Sequence, residues 1–245
     1  GRSVNYDPKN SIAQVFEAVE KGKASYGVVP IENSTEGAVT YTLDMFNNTE
    51  SKICAEMQLP IHHNIMSRTS KDKLKVIYSH PQALAQCRIY LHNHFPAVEQ
   101  VEVRSTAEAA RRASCEEFSA AVASELAAEA YGLDVLESSI EDNSRNTTRF
   151  LVIGKQKPKS TGDDKTSIVF AVKDRVGALN ECLSAFGAKA INMTMIESRP
   201  AKTKQGEYLF FVDFLGHRDD EVVKEVLTGL KDHCMSVKVL GSYPC

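Results

Sequence analysis

Apolar and polar positions along this chain alternate between two periods. Ile12, Val15, Phe16 and Val19 recur at one-face helical spacing behind the capping box Ser11-Ile12-Ala13-Gln14, and the stripe stops at Gly22. Residues 26–29 are a short apolar run, suited to a strand, that meets Pro30 and then a polar stretch. Helical spacing resumes at Val39, Thr42, Leu43 and Phe46. Residues 53–65 alternate as one extended segment, and 76–79 form a short strand before Pro81, which suits the first turn of a helix. A strand at 98–104 precedes a second capping box, Ser105-Thr106-Ala107-Glu108, which opens an alanine-rich helix to about Cys115. A strand at 120–123 leads to a helix capped by Ser124 and ended by Gly132. An extended stretch at 133–140, a polar loop at 141–146 and a strand at 148–153 follow.

Strands alternating with helices predict an α/β fold with a largely parallel sheet. The stretches 53–65 and 133–140 are candidates for crossings between two lobes. The charged run 155–165, with Pro158 and Gly162 and no apolar residue, reads as a linker. Beyond it the order is strand (167–172), helix (Leu179, Cys182, Leu183, Phe186), strands (192–198, 208–214), helix (Val223, Val226, Leu227, Leu230) and strand (237–240). That βαββαβ order is ferredoxin-like and predicts a small self-contained domain.

Composition narrows the function classes. The net charge of −3 and pI near 6.2 leave no electrostatic footprint for nucleic acid. No apolar stretch approaches the roughly 18 residues of a membrane span, and residues 1–20 do not read as a secretory signal. The six cysteines are scattered without a Cys-x-x-Cys pair, and Cys87 and Cys182 fall at apolar helical positions. They read as buried thiols in a reducing, cytoplasmic setting. The seven histidines have no zinc spacing, and His62-His63 and His92-Asn93-His94 read as surface residues.

Candidate chemistry lies in four short runs. Pro30-Ile31-Glu32-Asn33-Ser34-Thr35-Glu36-Gly37 joins a strand to a helix, where backbone N–H groups favour an anion. Ser34 or Thr35 acting only as an N-cap is the simpler alternative. Ser79-His80-Pro81-Gln82 ends a strand and starts a helix, with Gln86 one turn beyond Gln82. Taken alone it reads as a capped helix with solvated glutamines. Asn146-Thr147-Thr148-Arg149-Phe150 is a polar turn entering a strand. Arg149 suits either a clamp on a substrate carboxylate or a structural ion pair. The fourth run is split between Gly177-Ala178-Leu179-Asn180 and the segment Asn192 to Pro200, which ends Glu197-Ser198-Arg199-Pro200. Both halves also fit ordinary helix-start and strand chemistry.

Taken together, the four runs resemble the Pro-Ile-Glu-Asn-Ser, Ser-His-Pro-Gln and Thr-Arg-Phe motifs of prephenate dehydratases and the Glu-Ser-Arg-Pro segment of their phenylalanine-binding ACT domain. The resemblance implies a two-lobed catalytic domain like type 2 periplasmic binding proteins, its site in the cleft, and a C-terminal ferredoxin-like ACT domain. It places the catalytic domain at 1–155, with lobe 1 at about 1–52 and 139–155 and lobe 2 at about 53–138. The linker falls at 156–165 and the ACT domain at 166–245.

It implies catalytic roles for Thr148, Glu32, Asn33, Gln86 and Ser79, and substrate contacts from Ser34, Thr35, Gly37, His80 and Arg149. Phenylalanine is the implied effector, held by Gly177, Ala178, Leu179, Asn180, Asn192, Glu197, Ser198 and Arg199 at a subunit interface of a homodimer or dimer of dimers. The implied reaction turns prephenate into phenylpyruvate. Aromatisation drives it, so no metal or organic cofactor is expected, and neither is a nucleic-acid or membrane partner. Glu32 is a second acid if burial keeps it protonated. An arogenate dehydratase and a non-catalytic phenylalanine- or solute-binding protein are the alternatives. The family's opening strand and Gly-rich turn have no counterpart here, and a preceding chorismate mutase part is compatible with the chain.

Overall fold

The computed structural model describes residues 4–172, 175–201 and 207–245. Contacts divide the chain into two compact units. One runs to Leu59 and resumes as Thr148–Cys245; the other is Pro60–Thr147.

The first unit opens with α1 (Ile12–Glu20), whose Ser11 side chain accepts from the Gln14 amide as a capping residue should. Next come β1 (Tyr26–Asn33), β2 (Gly37–Ala38), α2 (Thr40–Asn48) and β3 (Lys52–Pro60). After the excursion through the second unit, β9 (Thr147–Gly154) returns and completes a sheet of order β2-β1-β9-β3. β1 runs antiparallel to both β2 and β9, and pairs Glu32 with Arg149 and Asn33 with Thr148. The register slips between Pro30 and Glu32, at a proline that has no N–H for a regular ladder.

The remainder of this unit is β10 (Asp164–Val172), α7 (Ala178–Ala188), β11 (Met193–Pro200), β12 (Tyr208–Leu215), α8 (Glu221–His233) and β13 (Cys234–Pro244). The βαββαβ order is as expected, and the sheet order is β11-β12-β10-β13. The expectation of a self-contained domain fails, and β10 shows why. Ile168 and Phe170 face the helices, in a core with Cys182, Phe186, Val212 and Phe214. Val169 faces the other way and, with Phe211, Leu240 and Tyr243, joins Phe16, Val29, Leu43, Phe46 and Ile53 in a core shared with the first sheet. A strand buried on both faces loses its alternation. Each fully buried large apolar side chain contributes about 1.5–3 kcal/mol, so several together hold the two sheets against each other.

Polar ties reinforce that contact. The Lys238 ammonium donates to the carbonyls of Phe46, Asn47 and Thr49 at 2.9, 3.3 and 2.7 Å, closing a helix end that has no basic residue of its own. The charged run taken as a linker is only partly one. Asp164 is buried and accepts from the Thr161 and Gly162 amides at 2.8 and 3.0 Å.

The second unit holds β4 (Asn64–Ser67), β5 (Val76–Ser79), α3 (Pro81–Gln86), α4 (Arg88–His94), β6 (Glu99–Glu102), α5 (Thr106–Cys115), β7 (Ser119–Ala123), α6 (Glu125–Tyr131) and β8 (Asp134–Glu137). Its sheet order is β6-β5-β7-β4-β8. β5 pairs parallel with β6 and β7, whereas β4 runs antiparallel to β7 and β8. This sheet is therefore mixed, while the C-terminal strands pair antiparallel, which corrects the largely parallel expectation. β7 is buried throughout, with Ala120 and Val122 in one core and Ala121 and Ala123 in another. The single extended segment expected at 53–65 breaks at 61–63 into β3 and β4. Ser124 precedes α6 without a side-chain cap bond, and Gly132 ends that helix in the left-handed region, φ 61°.

Candidate functional site

The residues singled out by the sequence fall into two groups, one in each unit. In the first unit the polar run after Pro30 does not open a helix. Residues 34–36 turn β1 back into β2, and α2 begins only at Thr40, with Val39 before it and no side-chain cap. Ser34 and Thr35 therefore do not cap α2, and Ser34, Thr35 and Gly37 are exposed on the turn, Gly37 at φ 81°. The expected helix N-terminal anion site is absent from this turn.

What the turn does instead is aim Asn33. Its Oδ1 accepts from the Thr35 and Glu36 amides at 2.9 and 3.2 Å, an Asx turn that fixes which way the amide faces. The Asn33 Nδ2 then donates to the Thr148 hydroxyl oxygen at 2.9 Å. Because Thr148 Oγ1 is an acceptor in that bond, its own proton is directed elsewhere. Strand pairing sets Asn33 opposite Thr148, so two residues 115 apart in sequence meet by register.

Arg149 is buried and held by ion pairs. Its Nε donates to Glu56 at 2.6 Å, and its Nη2 reaches Asp213 at 2.7 Å and the Tyr243 hydroxyl at 3.1 Å. Burial opposes the charge, but Asp213, Tyr243 and Glu56 outweigh it and hold the guanidinium charged. Of the two readings left open for Arg149, the ion pair is the one formed. Glu32 keeps 46 % of its side-chain surface and lies 3.9 Å from Arg149. The burial that a protonated acid role calls for is not there.

In the second unit Ser79 is fully buried and its hydroxyl donates to the Val122 carbonyl at 2.6 Å, which ties β5 to β7. The expected outward-facing role does not fit that geometry. His80 caps the six-residue α3, its Nδ1 accepting from the Gln82 amide at 3.3 Å, so Nε2 carries the proton of the neutral ring. Gln86 is not a solvated glutamine. Its Oε1 accepts from His63 Nε2 at 2.8 Å and from Asn146 Nδ2 at 2.9 Å. Those donors leave the Gln86 amide N–H2 facing away from both.

His63, read as a surface residue, is buried. Beside it, Glu141 accepts from His62 Nδ1 at 2.8 Å and from the His63 amide at 2.9 Å. Burial opposes its charge, yet these donors prevail and hold the Glu141 carboxyl below the usual carboxylate range. Cys87, next to Gln86, is buried as expected, and burial pushes its thiol up to about 12.

His63, Glu141 and the orienting role of Asn146 escaped sequence reasoning. The one local signal was a pair of polar residues interrupting an apolar alternation. Among the described residues no group of three or more His, Cys, Asp or Glu is placed to hold a metal, and no helix is long and apolar enough to cross a membrane.

In the C-terminal part, Gly177 precedes α7 at φ 82° and is exposed together with Asn180. Ala178 is buried and Leu179 half-buried. Along edge strand β11 exposure alternates, with Ser198 exposed and Glu197 and Arg199 half-buried, while Asn192 is exposed just before the strand. Arg199 is engaged by Asp44 of α2, at 3.1 and 3.3 Å.

The sequence matches the prephenate dehydratase family over residues 1–158 and the ACT domain over 166–232. It is 47% identical over 246 residues to a bifunctional chorismate mutase/prephenate dehydratase of Stutzerimonas stutzeri, covering 100% of this chain and 67% of that protein. The structure is similar to that of prephenate dehydratase from Arthrobacter aurescens in complex with L-Phe, at a TM-score of 0.89 and 36% identity, covering 97% of this chain and 81% of that one. It is also similar, at a TM-score of 0.90 and 28% identity over 97% of this chain and 88% of that one, to a protein described as a novel type of quorum quenching acylase. Motifs, fold and identity along the whole length agree: the chain belongs to the prephenate dehydratase family and carries a C-terminal ACT domain.

Proposed function

We propose that this chain converts prephenate to phenylpyruvate through Thr148, and that phenylalanine bound to its ACT domain regulates the step. Prephenate loses its ring carboxylate as carbon dioxide, and that bond's electron pair enters the ring. The ring C–O bond breaks, and the departing oxygen takes up one proton to leave as water. Aromatisation supplies the driving force, so the protein has to hold a dianion and assist one leaving oxygen.

The observation that carries the proposal is the direction of the Asn33–Thr148 hydrogen bond. Asn33 donates, so the Thr148 O–H is left to hydrogen-bond the leaving oxygen, and the proton that oxygen takes up is supplied from solvent by way of this hydroxyl, so that no alkoxide is left on Thr148. Acid assistance of this kind contributes roughly 10²–10⁴-fold, and oriented donors supply the larger share. In the second unit the directed N–H2 of Gln86 and the Nε2–H of His80 suit substrate carboxylate or hydroxyl oxygens. Glu32 is better suited to orienting than to donating a proton. Phenylalanine falls to the segments at 177–180 and 192–199, at an interface between copies in a dimer or dimer of dimers. Catalytic part, linker and ACT domain divide near 155 and 165, with two lobes in the catalytic part. A cytoplasmic location is the reading that six scattered cysteines without a Cys-x-x-Cys pair support.

Thr148→Val keeps the shape of the side chain and removes the proton. It lowers kcat by about 10²-fold or more while KM moves little, read as phenylpyruvate formation by the purified full-length protein. Near-normal turnover would sink the assignment. Parallel assays on prephenate and arogenate separate the two dehydratases. The acylase reading has one structural likeness behind it, and cleavage of an N-acyl substrate without any phenylpyruvate would favour it.

A further inference from the structure

Arg149 stands next to Thr148 on β9, yet it is held by side chains of the ACT domain. Its guanidinium meets Asp213 on β12 at 2.7 Å and the Tyr243 hydroxyl on β13 at 3.1 Å, and it lies 3.8 Å from the Met195 sulfur on β11. Three of the four strands of the C-terminal sheet thus converge on one side chain. On its other side are Glu56 of β3 at 2.6 Å and Glu32 of β1 at 3.9 Å, so the same guanidinium also ties together the strands that carry Asn33 and Thr148.

Apart from half-exposed Glu32, the charged groups of the cluster are largely buried and paired. Tyr243 shares a 2.7 Å hydrogen bond with Ser167, and Lys165 pairs with the second oxygen of Glu56 at 2.5 Å. A buried charged cluster of this kind has discrete arrangements and does not deform smoothly, because separating any one pair strands a charge. A shift of β11 or β12 must therefore either carry Arg149 with it or break its contacts. Arg149 and Thr148 are adjacent in one strand, so the displacement reaches the Asn33–Thr148 bond without passing through any loop.

We propose that Asp213 and Tyr243 are positioning residues that transmit the phenylalanine-bound state of the ACT domain to Thr148 through Arg149. The proposal rests on the functional reading above and adds the route by which regulation reaches that site. The Arg199–Asp44 pair is a second tie from β11, to the helix that follows the Asn33 turn.

The test uses Tyr243→Phe, which removes one hydroxyl from an unchanged shape, and Asp213→Asn. Phenylpyruvate formation is titrated with phenylalanine, phenylalanine binding is measured separately by calorimetry, and amide exchange is followed across residues 147–154. In the variants the ratio of turnover without and with phenylalanine collapses toward one. Coupling of about 5–150-fold is typical of such systems, so a loss of most of it is readily read. Calorimetric affinity for phenylalanine is retained, and the change in β9 exchange that phenylalanine causes in the parent disappears.

An unchanged phenylalanine response in Tyr243→Phe overturns the proposal, as does a response lost only in step with phenylalanine affinity. If Asp213→Asn does not fold, Tyr243→Phe decides alone. If the parent makes no phenylpyruvate, the functional reading falls, and the exchange readout still judges the relay. No exchange change in the parent with phenylalanine bound overturns the relay by itself.

Discussion

Asn33 and Gln86 share one device. Each is an amide whose oxygen is occupied by two donors, so its N–H2 points one way. An amide free to flip offers a substrate an acceptor half of the time, whereas one held at the oxygen end offers only donors. For Gln86 the holders are His63 and Asn146. His63→Leu keeps volume and burial and removes one of the two donors that set Gln86. It should lower kcat/KM by about ten- to a hundredfold, the cost of a misplaced contact group, with partial recovery in His63→Gln, whose amide can still donate. Steady-state kinetics of the two variants check this, with a thermal melt of each to establish that folding is kept.

At the scale of elements, the second unit is tied by a carboxylate. Glu141, in the loop after β8, is buried and receives His62 Nδ1 and the His63 amide just before β4. Its carboxyl sits below the usual range in the folded chain. The folded value lies below the unfolded one, so the contribution is fully present above the unfolded glutamate value, about 4.3, and is lost as the pH falls through the folded value. Glu141→Gln should cost about 1.5–3 kcal/mol at pH 7, the range for hydrogen bonds to a charged group. The gap between parent and variant in urea midpoints should narrow below about pH 4. A gap that is constant with pH would remove the carboxylate from the account. The neighbouring Cys87, its thiol pushed up to about 12 by burial, stays protonated throughout this range.

For the molecule as a whole, the largest departure from expectation is that the C-terminal domain shares a core with the first sheet. Gly241 on β13 shows how close the approach is. A Cβ there would lie 2.2 Å from the Ile53 carbonyl oxygen of β3, and backbone cannot yield as a side-chain tip can. Gly241→Ala should therefore destabilise by about 1–3 kcal/mol, in the range of overpacked cores, and lower the melting temperature. An unchanged melt would mean that β13 can back away from β3 freely.

The alternation of strand and helix, the ferredoxin-like order and the capping serines Ser11 and Ser105 were legible in the sequence. Each is decided within one or two turns of chain by propensity, spacing and a single cap. The runs around Asn33, Gln86 and Thr148 were legible through their resemblance to the motifs of the family. Strand direction was not legible, since a four-residue strand reads alike whichever way its partner runs. Nor was the turn after Asn33, whose polar residues suit an N-cap and a hairpin equally. The partners of Gln86 and Arg149 were also hidden. Those contacts join residues 23, 60, 93 and 94 positions apart, and a hydrogen bond across such a separation leaves no local trace. Sequence alone picked out candidate residues at Asn33, Gln86 and Thr148, but not the buried His63 or Glu141. Tertiary structure decided which way each one points, because orientation comes from donors and charges that only folding brings within 3 Å or so.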